Sequence, residues 1–229
     1  MYEAFLNVIE KSVLFRGIEA ENIVQMLKCF DPLVKRYKKN ELLTIAGEPF
    51  TGIGVLLEGG AAVGKESLSG GRVVLKMIKP GELFGEMIAF SNQTVWPATV
   101  QAQDDSIALF IPREKIVSEC GKLCSWHKLL IQNMLTILSN RALMLNRKLE
   151  YLSIKSMRGK LCAFLLDQYN ESGRKTMELD MNRNELADFL NVSRPSMSRE
   201  LRRMKDDGLI DYHLSSISII DPIGLNREI

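Results

Sequence analysis

Seven apolar residues, Ile131, Leu135, Leu138, Ala142, Leu145, Leu149 and Leu152, follow one another at spacings of four and three without a break. Such a heptad seam marks a helix that lies along another helix. At ~1.5 Å per residue it extends for roughly 32 Å, close to twice the mean globular helix. A second stripe, Leu130, Ile137, Met144 and Tyr151, recurs every seven residues on nearly the opposite side. The helix over 126–152 therefore carries two apolar faces, one for a partner helix and one for a domain of its own chain. The positions flanking the seam hold Gln132, Ser139 and Asn146 on one side and Met134, Arg141 and Lys148 on the other, with no complementary charges. The seam is not expected to pair strongly on its own. A monomeric bundle around one long core helix is the competing arrangement.

The texture differs on the two sides of this helix. Residues 1 to about 30 carry short amphipathic helical patterns that end near Asp31-Pro32. From Leu33 to Pro112 come short alternating runs, LVKRY, LLTIAG, IGVLLEGGAAVGK, RVVLKMIKPG and SIALFIP, separated by the turn signals EP, EGG, LSGG and KPGE. Many short strands between glycine-rich turns predict a sandwich or barrel of jelly-roll type. Pro112 opens a short helix, Gly121 interrupts it, and Ser125 is placed to cap the long helix. Behind the polar step Ser153–Ser156, a helix over about 157–169 leads to a brief strand, TMELD.

The next stretch, MNRNELADFLNVSRPSMSRELRRMKDDGLI, is the most informative short one. Asn182 with Glu185 three residues on is a capping-box signature for a helix over about 183–190. Asn191 stands where a tight turn needs a residue tolerant of the left-handed region. Ser193 caps a second helix, and Pro195 falls in its first turn, where a missing N–H costs nothing. Ala187 is small where the two helices must approach. This punctuation predicts a helix-turn-helix, with IDYHLSSISIID as a two-stranded wing after Gly208. From Ser193 to Lys205, Arg194, Arg199, Arg202, Arg203 and Lys205 face Glu200 alone, whereas residues 153–229 as a whole hold twelve basic and twelve acidic side chains. Positive charge is thus concentrated on one helix, as a polyanion such as DNA requires. The alternative is a solvated basic face on a structural winged helix. Ser196 and Ser198 can donate to phosphates or base edges, and arginine can bridge guanine O6 and N7.

Other classes lose support. Two histidines, His127 and His213, are too few for a β-barrel metalloenzyme, and no GxSxG, GxxxxGKS or HExxH string occurs. No catalytic or metal site and no cofactor is expected. Four cysteines make no disulfide framework, no run reaches ~18 apolar residues, and the first residues lack the features of a secretory signal. A cytoplasmic protein without a membrane partner is the expectation.

With the helix-turn-helix behind a β-roll and a heptad helix, the chain resembles the Crp/Fnr family of bacterial transcription regulators, from about Leu14 to Asp221. The specific parts are ELADFLNVSRPSMSREL, the turn PGELFGE and the order of the three modules. The resemblance implies an α+β chain: an N-terminal β-roll sensor of jelly-roll, cyclic-nucleotide-binding-like type over 1–125, a dimerisation helix over 126–152, and a winged helix-turn-helix over 153–229. It implies a homodimer joined along the seam, presenting two recognition helices about 34 Å apart to a near-palindromic operator in double-stranded DNA. RNA polymerase is a further partner if the protein activates. Base readers carried over by position are Arg194, Pro195, Ser198 and Arg199, with Arg199 the first candidate for guanine. Asn182, Ser193, Ser196 and Arg202 complete the expected DNA-contact set. Family members often hold a glutamate where this chain has Pro195, so a different operator is expected.

The same resemblance places an effector pocket at Gly85, Glu86, Met87, Trp96 and Pro97, backed by Leu130 and Ile137. Cyclic-nucleotide-binding members begin this cassette with Gly-Glu and end it with Arg-Ser, but Trp96-Pro97 stands at the Arg-Ser positions here. Without that arginine a cyclic phosphate lacks its charged partner, so an unknown small molecule other than cyclic AMP is expected. Gly85 and Glu86 can equally serve the turn alone. Effector binding would bias the packing of the second stripe and rotate the DNA-binding domains about Ser153–Ser156. Two rivals stand beside this reading: a redox, metal or haem switch at Cys120, Cys124 and His127, and a constitutive DNA binder with a vestigial pocket.

Overall fold

Short alternating runs become strands when their apolar face is covered, and the first half of the chain supplies that cover from a second sheet and from helices. The computed structural model describes residues 2–66, 72–93, 95–118, 125–179, 181–214 and 216–229. Their contacts divide the chain into two units, Met1–Asn140 and Arg141–Ile229. The first begins with α1 (Leu6–Ile9) and α2 (Ala20–Phe30), which Asp31 closes in the left-handed region at φ 47°. The strands are β1 (Leu33–Tyr37), β2 (Leu42–Thr44), β3 (Gly52–Glu58), β4 (Ala61–Glu66), β5 (Arg72–Ile78) and β6 (Leu83–Phe84). After the one-turn α3 (Glu86–Ala89) come β7 (Thr99–Ala102), β8 (Ser106–Pro112) and α4 (Arg113–Val117).

These strands form two antiparallel sheets, ordered β1-β8-β3-β6 and β2-β7-β4-β5. The run IGVLLEGGAAVGK is two strands, β3 and β4, that belong to different sheets. The chain changes sheet at Gly59, with φ +80°, where a Cβ would lie 2.4 Å from the Asp105 carbonyl oxygen. β3 is apolar and buried from Ile53 to Leu57 because both of its faces are covered there. Ile53, Val55 and Leu57 face α2 and the long helix, while Leu56 joins Ile78, Phe84, Trp96 and Val100 between the sheets. β7 is not among the strands expected from sequence. Its four residues, TVQA, alternate correctly but lie between Trp96-Pro97 and a QDDS turn, too short to register as a run.

The long helix α5 (Ser125–Ser153) crosses the border between the units. In the first unit Leu130, Met134 and Ile137 enter the core beside Ile23 and Leu27. Asn133 Nδ2 donates to the carbonyls of Leu14 at 3.0 Å and Arg16 at 2.8 Å, fixing the helix to the N-terminal segment.

In the second unit α6 (Met157–Ser172) ends at Gly173, in the left-handed region at φ 64°. β9 (Thr176–Glu178), α7 (Arg183–Leu190), α8 (Arg194–Asp206), β10 (Ile210–His213), β11 (Ser216–Ile219) and α9 (Pro222–Arg227) follow. The wing has three strands rather than two, in the order β10-β11-β9, because TME pairs with β11. α9 was not expected from sequence. Asp221 caps it by accepting from the N–H groups of Ile223 and Gly224 at 3.1 and 2.9 Å. Tyr151, near the end of α5, is buried among Phe164 and Phe189, and its hydroxyl donates to Asp167 at 2.6 Å. The step at Ser153–Ser156, expected to act as a hinge, is thus bridged by side chains on both sides of it.

Candidate nucleic-acid interface and effector corner

The helix-turn-helix is built by its caps. Asn182 Oδ1 accepts from the N–H groups of Asn184 and Glu185 at 2.9 and 3.1 Å, and the Glu185 carboxylate accepts from Asn182 N–H at 2.8 Å. Both oxygens thereby satisfy N–H groups left free at the start of α7. Asn191 takes φ 52° and ψ 55°, and Val192 N–H then donates to the Ala187 carbonyl at 2.9 Å, closing the turn onto a buried alanine. Ser193 Oγ accepts from Ser196 N–H at 3.3 Å and opens α8.

Met197, Leu201 and Met204, at spacings of four and three, bury one face of α8. Arg194, Pro195, Ser198, Arg199 and Arg202 then share the exposed face. The side chains along its first turns are linked: Ser193 Oγ donates to Ser196 Oγ at 2.7 Å, and Arg199 Nη2 donates to the same oxygen at 3.1 Å. That orients Arg199. The five cations of the segment do not act alike. Arg203 pairs with Glu200 at 3.3 Å and Lys205 with Asp211. Arg158 on α6 takes Glu200, Asp207 and Glu228 at 3.3, 2.6 and 3.0 Å. Among the described residues Arg194, Arg199 and Arg202 have no carboxylate partner, so the uncompensated charge lies on the exposed face that these three share.

Three residues of the wing contact escaped sequence reading. Arg183, the first residue of α7, places its guanidinium 5.1 Å from the Tyr212 ring centre and donates to the Leu214 carbonyl at 3.1 Å. Burial makes that charge harder to hold, lowering the Arg183 pKa. Lys205 Nζ lies 5.5 Å from the same ring. The wing is therefore tied to both helices of the motif, with Leu214 exposed at the hairpin apex in the left-handed region at φ 53°. No local signal reveals a pairing across ~30 residues of sequence.

The residues expected to form the effector pocket are not gathered into one cluster. Trp96 is 6% exposed and packs between the sheets, Leu130 and Ile137 belong to the helix-facing core, and Met87 and Pro97 are exposed. Gly85 precedes α3 with φ +89°, and Glu86 is buried. Above Gly85 stands the Phe50 ring, 2.2 Å from where a Cβ would be. Phe50 stacks on Phe84 at 6.3 Å and meets Trp96 at 5.3 Å and Phe110 at 6.3 Å.

Along the seam, Ile131, Leu135, Ala142, Leu145 and Leu149 are exposed within the chain, while Leu138 and Leu152 are half-buried. The second stripe serves two cores: Leu130 and Ile137 enter that of the first unit and Tyr151 that of the second, while Met144 is exposed. Of the candidate switch, Cys120 and Cys124 lie outside the described residues. His127 is buried, with Nε2 2.6 Å from the Ile116 carbonyl and its ring edge-on to Phe30. Nε2 must carry the proton to make that contact, which leaves Nδ1 alone as a possible ligand atom. Among the described residues no group of three or more His, Cys, Asp or Glu could hold a metal, and no helix is long and apolar enough to cross a membrane. Cys162 is buried, which pushes its thiol up to about 11.

Comparison with known proteins assigns this architecture. A model of the cyclic nucleotide-binding domain matches residues 34–122, and a model of the Crp-like helix-turn-helix domain matches residues 159–228. The transcriptional activator protein FnrA of Stutzerimonas stutzeri is 24% identical, over 88% of this chain and 84% of that one. The CRP-like cAMP-activated global transcriptional regulator of Mycobacterium tuberculosis is 23% identical, over 96% and 98%. Among solved structures the fold matches the Thermus thermophilus catabolite activator protein, with a TM-score of 0.54 at 22% identity over 94% and 97% of the two chains. It also matches CprK complexed with OCPA, with a TM-score of 0.68 at 12% identity over 90% and 93%. With the two domains in this order on either side of one long helix, the chain belongs to the Crp/Fnr family of transcription regulators that carry a DNA-binding helix-turn-helix.

Proposed function

We propose that this protein acts in the cytoplasm as a homodimeric, sequence-specific regulator whose affinity for a near-palindromic operator is set by a small molecule other than cyclic AMP. The observation that carries the reading is the exposed face of α8, where Arg194, Arg199 and Arg202 have no carboxylate partner among the described residues. Three unpaired cations on one exposed helix face suit a polyanionic partner such as the DNA backbone. Dimerisation is supported by the seam, whose leucines are exposed at 59% for Leu135 and 66% for Leu149. An isologous pairing would bury each of them twice. Two recognition helices would then address successive major grooves about 34 Å apart. An activator of this design would also contact RNA polymerase.

The test is anisotropy of the full-length protein on an operator selected from random DNA. Arg199→Ala should cost about 1–3 kcal/mol at one operator position and relax specificity there. An equal loss on every sequence would make Arg199 a phosphate contact instead. Cyclic AMP at millimolar concentration should leave operator affinity unchanged, since Trp96-Pro97 brings no cation for a cyclic phosphate. A second reading, constitutive binding, is favoured by the packing of Phe50 over Gly85. It requires operator affinity to be indifferent to every small molecule added.

A further inference from the structure

The corner of the β-roll where Phe50 meets Trp96 combines two features that ordinary core packing does not explain together. Trp96 is buried, and its Nε1–H has no hydrogen-bond partner among the described residues. Buried indole N–H groups normally find an acceptor, and leaving one without is costly. Beside it, the Phe50 ring fills the space over Gly85, where a positive φ and the absence of a Cβ leave room for a flat group. Phe84 and Trp96, which flank it, are buried, and Phe110 lies within β8. Phe50 is half-buried and comes from the connection between β2 and β3.

The backbone of that connection is held in place. Gly47 N–H donates to the Trp96 carbonyl at 2.9 Å, Trp96 N–H donates to the Glu48 carbonyl at 3.0 Å, and Pro49 bridges to Val95. Phe50 can therefore leave by rotating its side chain without unravelling the loop. What it would vacate is a space bordered by the rings of Phe84, Trp96 and Phe110, and one of those rings, Trp96, carries the unpartnered indole N–H. The rings of Phe84, Trp96 and Phe110 bring no cation. Anions are therefore disfavoured in this space.

Resting on the effector-controlled reading above, we propose that Phe50 is an internal stand-in for the effector. The site takes a planar, uncharged aromatic molecule with a hydrogen-bond acceptor. Its ring replaces that of Phe50, and its acceptor receives the Trp96 Nε1–H. Exchange of one ring for another leaves the stacking contacts nearly unchanged, so the new hydrogen bond gives the selectivity. A neutral hydrogen bond of this kind corresponds to roughly tenfold in affinity.

Quinoline and indole test this, because they are similar in size while quinoline accepts a hydrogen bond through its ring nitrogen and indole only donates. Calorimetry and thermal shift on the full chain at neutral pH, where quinoline is uncharged, should show quinoline binding roughly tenfold more tightly than indole. Trp96→Phe should reduce that preference to about one, and Phe50→Ala should strengthen both ligands while preserving it. The proposal is overturned if the unsubstituted protein binds neither compound in the millimolar range while Phe50→Ala binds both alike, since Phe50 is then core filler. It is equally overturned if the unsubstituted protein shows no preference for quinoline, a comparison that depends on no variant folding. Operator binding is measured on the same samples. Specific binding that ignores quinoline removes only the ligand assignment, whereas absence of specific binding removes the underlying reading.

Discussion

Leu149→Ala is the sharpest perturbation of the proposed dimer. Leu149 leaves 66% of its surface exposed within the chain, and the substitution deletes three side-chain carbons. At ~0.8 kcal/mol per buried carbon, pairing that covers the exposed fraction gains about 1.5 kcal/mol per copy from those atoms. An isologous interface counts the residue twice, so the dimer loses about 3 kcal/mol, or about 100-fold in dissociation constant. Sedimentation equilibrium measures this directly, with circular dichroism to verify that the helix is retained. Leu143→Ala is the matched control: it is 57% exposed on the same helix but lies off the seam, and should leave the constant nearly unchanged. Equal effects from the two substitutions would refute the assignment of the seam as the pairing face. A dissociation constant that ignores Leu149→Ala would refute it as well.

Three further outcomes follow from side-chain geometry. Asn182→Ala removes the acceptor for two N–H groups and half of a capping box, and should cost about 0.5–2 kcal/mol in denaturant unfolding; an unchanged midpoint would place the stability of α7 elsewhere. Burial holds the Cys162 thiol at about 11 against 9.0 when free, so between these values the unfolded chain gives up its proton first. Its contribution to stability is then complete below pH 9 and falls as pH rises toward about 11. In the folded protein iodoacetamide should label the exposed Cys29 and spare Cys162, and labelling of both at equal rates would contradict the burial. Tyr151→Phe deletes the hydroxyl that donates to Asp167 and should cost about 1 kcal/mol, visible as faster hydrogen exchange over residues 148–153. Unaltered protection there would show that the aromatic contacts alone secure the end of α5.

What the sequence disclosed and what it concealed divide by range. The caps at Asn182, Asn191 and Ser193 act within four residues, and each is found where the local pattern places it. The seam and the second stripe were legible as periodicities, but periodicity cannot say which core a face enters. Tyr151 follows Ile137 at two heptads, yet it packs into the second unit rather than the first, and Met144 between them is exposed. The basic face of α8 was legible as a count, but the count alone ranks Arg203 and Lys205 equal to Arg199. Their neutralisation depends on Glu200 within the helix and on Asp211 in the wing. The three-stranded wing and the Arg183–Tyr212 contact depend on pairings across dozens of residues. Phe50 carries no motif at all, because its place over Gly85 is set by packing between residues far apart in sequence.

The unequal pairing of charges along α8 has a thermodynamic reading. Each phosphate neutralised by a protein cation releases condensed counterions, and the logarithm of affinity falls against the logarithm of salt by ~0.9 per contact. Were all five cations of the segment available in both copies of a dimer, this helix would contribute a slope of about −9. Arg203 and Lys205 would first have to give up exposed carboxylate partners, so on the proposed reading Arg194, Arg199 and Arg202 are the cations most readily offered to phosphates. Their contribution is then at most about −5, smaller still if Arg199 reads a base. The proposed operator complex would thus tolerate rising ionic strength better than the count of five cations implies.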